Sequence, residues 1–119
     1  MKFLLIMHMN PVLWDKLSEE EQQEVFDGHD RFQEIIRGSG EMVGTKALDA
    51  PTDTVTVTVS DGAVRSARGP YVPGESFLCG YYVVDVASQE RAVELAALIP
   101  DAKLTAVEVR KVVHDDGAE

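Results

Sequence analysis

The chain has 119 residues, 21 of them acidic and 11 basic, for a formal charge of -10. That is the length of one ordinary domain, and the acidic balance argues against nucleic acid or an anionic membrane as partner, since both need clustered Lys and Arg. The single cysteine, Cys79, excludes an internal disulfide and suits a reducing, cytoplasmic setting. The apolar start from Met1 to Met7 is too short for a signal peptide, and Asn10-Pro11 with acidic residues beyond it replaces a cleavage site. No run approaches the ~20 apolar residues of a membrane span.

Residues 2–8 read as a strand covered on both faces, with Phe3, Leu5 and Met7 on one side and Leu4, Ile6 and His8 on the other. Residues 10–15 read as a connection holding Pro11 and Trp14. Ser18 with Glu21 forms a capping box, which predicts a helix to about Arg37, stopped at Gly38-Ser39-Gly40. Val25, His29, Phe32 and Ile36 share one face of it, and Gly28 weakens its middle. A strand is expected near 41–48. Thr54 to Val59 alternates strictly, and Ser60-Asp61-Gly62 turns it into a short return strand at 63–67. Gly69, Pro70, Pro73 and Gly74 make a loop that leads into the apolar strand 77–86, interrupted by Asp85. Ser88 caps a second helix through Ile99, with Pro100 beyond it, and 104–113 is the last strand. The reading is one domain over residues 1–113 and a polar tail at 114–119.

With the extra hairpin set aside, this order is α+β: a ferredoxin-like split βαβ with an antiparallel sheet. The strands at 2–8 and 77–86 belong at its centre. Two helices cover one face only. The other face, with the 54–59 strand counted on it, needs a cover, and a second copy of the chain is the simplest one.

Several features taken in order resemble the YCII-related, or DGPF-domain, family across nearly the whole chain. They are Met1 to Ile6, the helix start Leu17-Ser18-Glu19-Glu20-Glu21, Ser60-Asp61-Gly62, Gly69-Pro70-Tyr71, Gly80 to Val86, and Val107-Glu108-Val109-Arg110. The resemblance implies a subunit that pairs sheet to sheet into a dimeric α+β barrel. It also implies either a His–Asp pair in a cleft or, in other members, association with an extracytoplasmic-function sigma factor. Two departures stand out: Arg68 replaces the Asp of the DGPF motif and Tyr71 its Phe, and Ala87 stands where an acid is common.

Each candidate site residue has two readings. His29 is either a cleft imidazole working as general acid or base, or a core-edge histidine bonded to a backbone carbonyl. Asp85 either orients His29 or binds a substrate donor, or it is a strand-end acid paired with a neighbour such as Arg91. Arg68 with Tyr71 either holds an anionic ligand or lies on the surface. His8 is a ligand contact at a strand end or an edge residue without a role. No metal is expected, because the histidines share no ligand spacing and Cys79 has no partner; no organic cofactor motif is present either. Cys79 reads as packed.

Two functions follow. The first is a small-molecule enzyme with His29 and Asp85 as the acid/base pair and His8, Arg68 and Tyr71 around the ligand. The second is a non-catalytic binding or regulatory module, with a sigma factor as the partner the resemblance implies.

Overall fold

The computed structural model describes residues 1–117, so the last two positions of the expected tail lie outside the described residues. The long strand β1 (Lys2–Met9) is followed by α1 (Pro11–Lys16), α2 (Glu19–Gly38) and β2 (Met42–Ala47). A hairpin of β3 (Val55–Ser60) and β4 (Ala63–Arg68) precedes β5 (Phe77–Asp85). The chain closes with α3 (Gln89–Leu98), α4 (Asp101–Leu104) and β6 (Ala106–Lys111).

Four strands form an antiparallel sheet in the order β2-β5-β1-β6. β1 and β5 are central, as their apolar faces require. Helix α2 joins β1 to β2 across the intervening β5, and α3 with α4 joins β5 to β6 across β1. The fold is therefore α+β, with both long helices on one side of the sheet. Phe3, Leu5 and Met7 of β1 face the helices with Tyr82 and Val84 of β5. Phe32 and Ile36 of α2 meet them from one side, Ala92, Leu95 and Ile99 from the other. Each large apolar side chain fully buried here contributes about 1.5–3 kcal/mol.

The helix starts form where the sequence puts their caps. The Ser18 hydroxyl accepts from Glu21 N at 3.1 Å, and the Glu21 carboxylate accepts from Ser18 N at 3.0 Å. Ser88 caps α3 by accepting from Arg91 N at 3.2 Å. The 10–15 connection proves helical instead, because Asn10 Oδ1 accepts from Val12 N and Pro11 occupies the first helical position. Pro100 does not end helical structure after α3. Its backbone is itself helical, and it opens the single turn α4, which shortens the last strand to Ala106–Lys111.

The 54–59 segment is a strand, but it does not belong to the main sheet. β3 pairs with β4 alone, from Val55 opposite Arg68 to Ser60 opposite Ala63. The sheet face away from the helices carries Leu4, Ile6, Tyr81 and Val83, and Ile6 and Val83 are already buried within the chain. Residues 112–117 run past one end of that face. Val112 N donates to Lys2 O at 2.9 Å, Lys2 pairs with Asp115, and Val112 and His114 line a small space beside Val43 and Val83. Among the described residues no helix is long and apolar enough to cross a membrane.

Glu41, just after α2, ties that helix to α3. Arg91 donates to both of its carboxylate oxygens at 2.9 Å, and Ser39 Oγ adds a bond at 2.7 Å. The Arg91 bonds hold the Glu41 carboxyl below its ordinary 4.5, against the opposing effect of burial. A depressed value stabilises the fold above pH 4.5 and stops doing so as pH falls through the folded value. Glu41→Gln is therefore expected to cost about 1 kcal/mol at neutral pH and progressively less in acid. Urea unfolding of both proteins at neutral and at acid pH checks this; a gap that widens in acid would refute the assignment.

Candidate functional site

A cleft of about 720 Å³ opens between α1, α2, the β2–β5 edge and the turn at 50–52. Its walls are mainly apolar, with Met7, Met9, Trp14, Phe26 and Phe77 among them; Trp14 and Phe26 meet edge to face at 5.7 Å. At its floor lies a polar cluster built from three parts of the chain.

His29 comes from the buried stripe of α2, between Val25 and Phe32. Its Nε2 lies 2.7 Å from Asp101 Oδ1, and its Nδ1 lies 2.8 Å from the Tyr82 hydroxyl. Asp101, the first residue of α4, is 3% exposed and is the one buried charged residue among the described residues. Gln33, one turn along α2 from His29, donates from Nε2 to the Tyr82 oxygen at 3.2 Å. Cys79 directs its thiol between Met7 O at 3.5 Å and Asp101 Oδ2 at 3.7 Å.

These bonds constrain the protons of the neutral ring. A carboxylate can only accept, so His29 carries its proton on Nε2 and donates it to Asp101. In the neutral ring Nδ1 then holds a lone pair, to which the Tyr82 hydroxyl donates while accepting from Gln33. The Cys79 thiol has one proton, shared between the Met7 carbonyl and Asp101 as acceptors. Burial, and then the adjacent Asp101 charge, push Cys79 up to about 11, so it stays a thiol and serves as a donor, not a nucleophile. Burial likewise raises Tyr82 and keeps it a phenol. No buried side-chain nitrogen or oxygen among the described residues lacks a partner.

Two local features bring the cluster together. An irregularity in the β1–β5 register falls between Met7 and His8, which oppose Gly80 and Leu78 and leave Cys79 as the extra residue of β5. The bulge lets Cys79 reach the helix side beside Gly80. On the helix, Gly28 has no side chain where Pro100 presses in: a Cβ there would stand 2.5 Å from Pro100 Cγ. This close approach lays Asp101 directly beneath His29.

The expected partnership of Asp85 with His29 is corrected by this geometry. Asp85 lies three residues beyond Tyr82, about 10 Å along the strand, and alternation turns it to the opposite sheet face. It is exposed, and its carboxylate meets the Met1 amino nitrogen at 3.0 Å. Nor does it pair with Arg91, which is taken up by Glu41 and Glu94. Asp101 stands where Asp85 was expected. His8 and Arg68 do come together, lining a neighbouring cleft of about 850 Å³ beneath the 69–76 loop. The two clefts share Pro11, Pro51, Thr52 and Phe77 as walls. His8 is bonded to Glu108, and Arg68 is in no ion pair among the described residues. Tyr71 is 80% exposed and lines neither cleft. Among the described residues no group of three or more His, Cys, Asp or Glu could hold a metal ion.

Asp101, Tyr82, Gln33 and Cys79 are the residues that sequence reasoning missed as a set. Two signals were present: an acid inside the apolar run Leu98-Ile99-Pro100-Asp101-Ala102, and a glycine at mid-helix beside the candidate histidine.

Fold and cleft together define a small α+β domain with a histidine–aspartate pair under its longest helix. The YCII-related domain model matches residues 1–114, and the chain belongs to that family. No curated protein matches the sequence.

The contact at Gly28 can be tested directly. Gly28→Ala adds helix propensity worth up to about 1 kcal/mol, but the new methyl meets a proline ring with little freedom to yield. Overpacking of about 1–3 kcal/mol should win, and Pro100→Ala in the same chain should restore most of the loss. Denaturant unfolding of the single and double variants measures both; a Gly28→Ala protein more stable than wild type would show that the contact is loose.

Proposed function

We propose that this protein is a small-molecule enzyme in which His29, oriented by Asp101, transfers a proton. The observation that carries the reading is the 2.7 Å bond from His29 Nε2 to a buried carboxylate at the floor of an open, largely apolar cleft. Asp101 holds the ring in one tautomer and would stabilise the imidazolium formed when Nδ1 takes a proton. The Tyr82 hydroxyl stands at Nδ1 and offers the route: it gives its proton to Nδ1 while taking one from the ligand. Burial disfavours a free phenolate, so the two transfers go together. The apolar walls suit an organic molecule with an aliphatic or aromatic body. The class of step is proton transfer, as in an isomerisation or a hydrolysis.

A second reading has support in one observation. Both imidazole nitrogens are already bonded within the protein, which a binding module with a purely structural histidine would also show.

The variants separate the two. His29→Ala should abolish the stabilisation that cleft ligands, found by thermal-shift screening of a small-molecule library, give the wild type, while the fold persists. A His29→Leu protein that is stable and has an unchanged ligand profile would sink the catalytic reading and leave the module. Asp101→Ala removes the acceptor of both His29 and Cys79 and is expected to cost about 1–3 kcal/mol. Asp101→Asn keeps the shape, and ¹⁵N spectra of the imidazole should then lose the single Nε2–H tautomer. An unaltered tautomer would show that Asp101 does not orient the ring.

A further inference from the structure

The cleft of about 850 Å³ beneath the 69–76 loop adjoins the His29 cleft across Pro11, Pro51, Thr52 and Phe77. Each is of a size that holds a small organic molecule, roughly 300–1,000 Å³. Their linings differ in kind. The polar groups at the floor of the first are bonded to one another. The second presents two side chains with bonding capacity left over, Arg68 and His8.

Arg68 ends β4, and the backbone just beyond it is pinned. Gly69 N donates to Thr54 O at 2.7 Å, and Thr56 Oγ1 donates to Gly69 O at 2.7 Å. Gly69 has φ 110°, a conformation that favours glycine. These bonds set the base of the arginine side chain at the cleft wall. Its guanidinium is in no ion pair among the described residues. Such a group is always charged, and its forked N–H donors match the two oxygens of a carboxylate.

His8 stands on β1 opposite Leu78 and Ala106, and its carbonyl accepts from the Thr105 hydroxyl. Its Nε2 is bonded to Glu108, whose second oxygen meets Arg110 at 3.5 Å. A carboxylate only accepts, so the neutral ring carries its proton on Nε2 and a lone pair on Nδ1. Among the described residues Nδ1 has no hydrogen-bond partner. His29 differs, since both of its nitrogens are taken. His8 thus keeps an oriented acceptor for a hydroxyl or N–H. The carboxylate lining this cleft is that of Glu75. It offsets the charge of Arg68, so the cleft suits a single carboxylate and disfavours a polyanion such as a diphosphate.

We propose that the second cleft is the selecting end of the first, taking the carboxylate of a hydroxy or amido acid whose apolar body crosses Phe77 into the His29 cleft. Arg68 holds the carboxylate, and His8 Nδ1 accepts from the hydroxyl or amide N–H. The ligand class is an amphipathic organic monoacid. The proposal rests on the reading of the His29 cleft as a small-molecule site and adds which molecules enter it.

Calorimetric titration with phenyl-substituted α-hydroxy acids of increasing chain length tests this. For the tightest member, replacing the carboxylate by the neutral amide should weaken binding about tenfold or more. Removing the hydroxyl should weaken it several-fold. Arg68→Gln should erase the first difference and His8→Phe the second, each leaving the other. His29→Ala should remove binding of acid and amide alike. A series in which no acid binds the wild type overturns the proposal. Acid and amide that bind equally, yet still need His29, overturn it and leave the reading of the His29 cleft in place. Acid binding that needs Arg68 and His8 but not His29 refutes the spanning ligand and that reading together. If His8→Phe fails to fold, Arg68→Gln, at an exposed hairpin position, decides alone.

Discussion

The carboxylate of Asp101 is the constraint around which this molecule is arranged. A charge that is 3% exposed is tolerable only if donors surround it, and removing one of them leaves an uncompensated group in a low-dielectric interior. The donors come from α2 through His29 and from the bulge of β5 through Cys79. Asp101 itself is delivered by the turn after α3, pressed against α2 where Gly28 leaves room. The close approach at Gly28, the β5 irregularity and the turn at Pro100 thus all meet at this one buried group.

The same arrangement explains why the cleft floor is polar but not reactive toward sulfur chemistry. Asp101 and burial act on Cys79 in the same direction, holding its proton on. Tyr82 is held in its neutral form by burial, with Gln33 opposing only in part. In the polar cluster the imidazole is the group whose Nε2 faces a fixed carboxylate and whose Nδ1 faces a neutral phenol.

Much of the fold was legible because its signals are local. The capping box at Ser18, the cap at Ser88, the turn at Asp61-Gly62 and the doubly apolar strands β1 and β5 each follow from a few adjacent residues. The site was half legible. His29 stood out as a titratable residue on an apolar helical stripe. Its partner did not, because Asp85 and Asp101 are equally acids near apolar runs, and only strand alternation and the packing of Pro100 on Gly28 decide between them. The misplacing of β3 has a related cause: strict alternation announces a strand but says nothing about its neighbours. The helical turn at 101–104 was missed because proline was read as a stop, whereas its fixed φ equally suits a new start.

The partners of the cleft lie far apart in the chain, Asp101 72 positions beyond His29 and Tyr82 53 positions beyond it. Closing loops of that length is the slow part of folding, and local helices form well before it. A nascent chain can therefore hold α2 with His29 in place while Asp101 is still unmade or undocked. The hydrogen-bonded cluster of His29, Tyr82 and Asp101 then comes into being only when the second half of the protein has closed on the first, so a partly folded molecule has the histidine but not its partners.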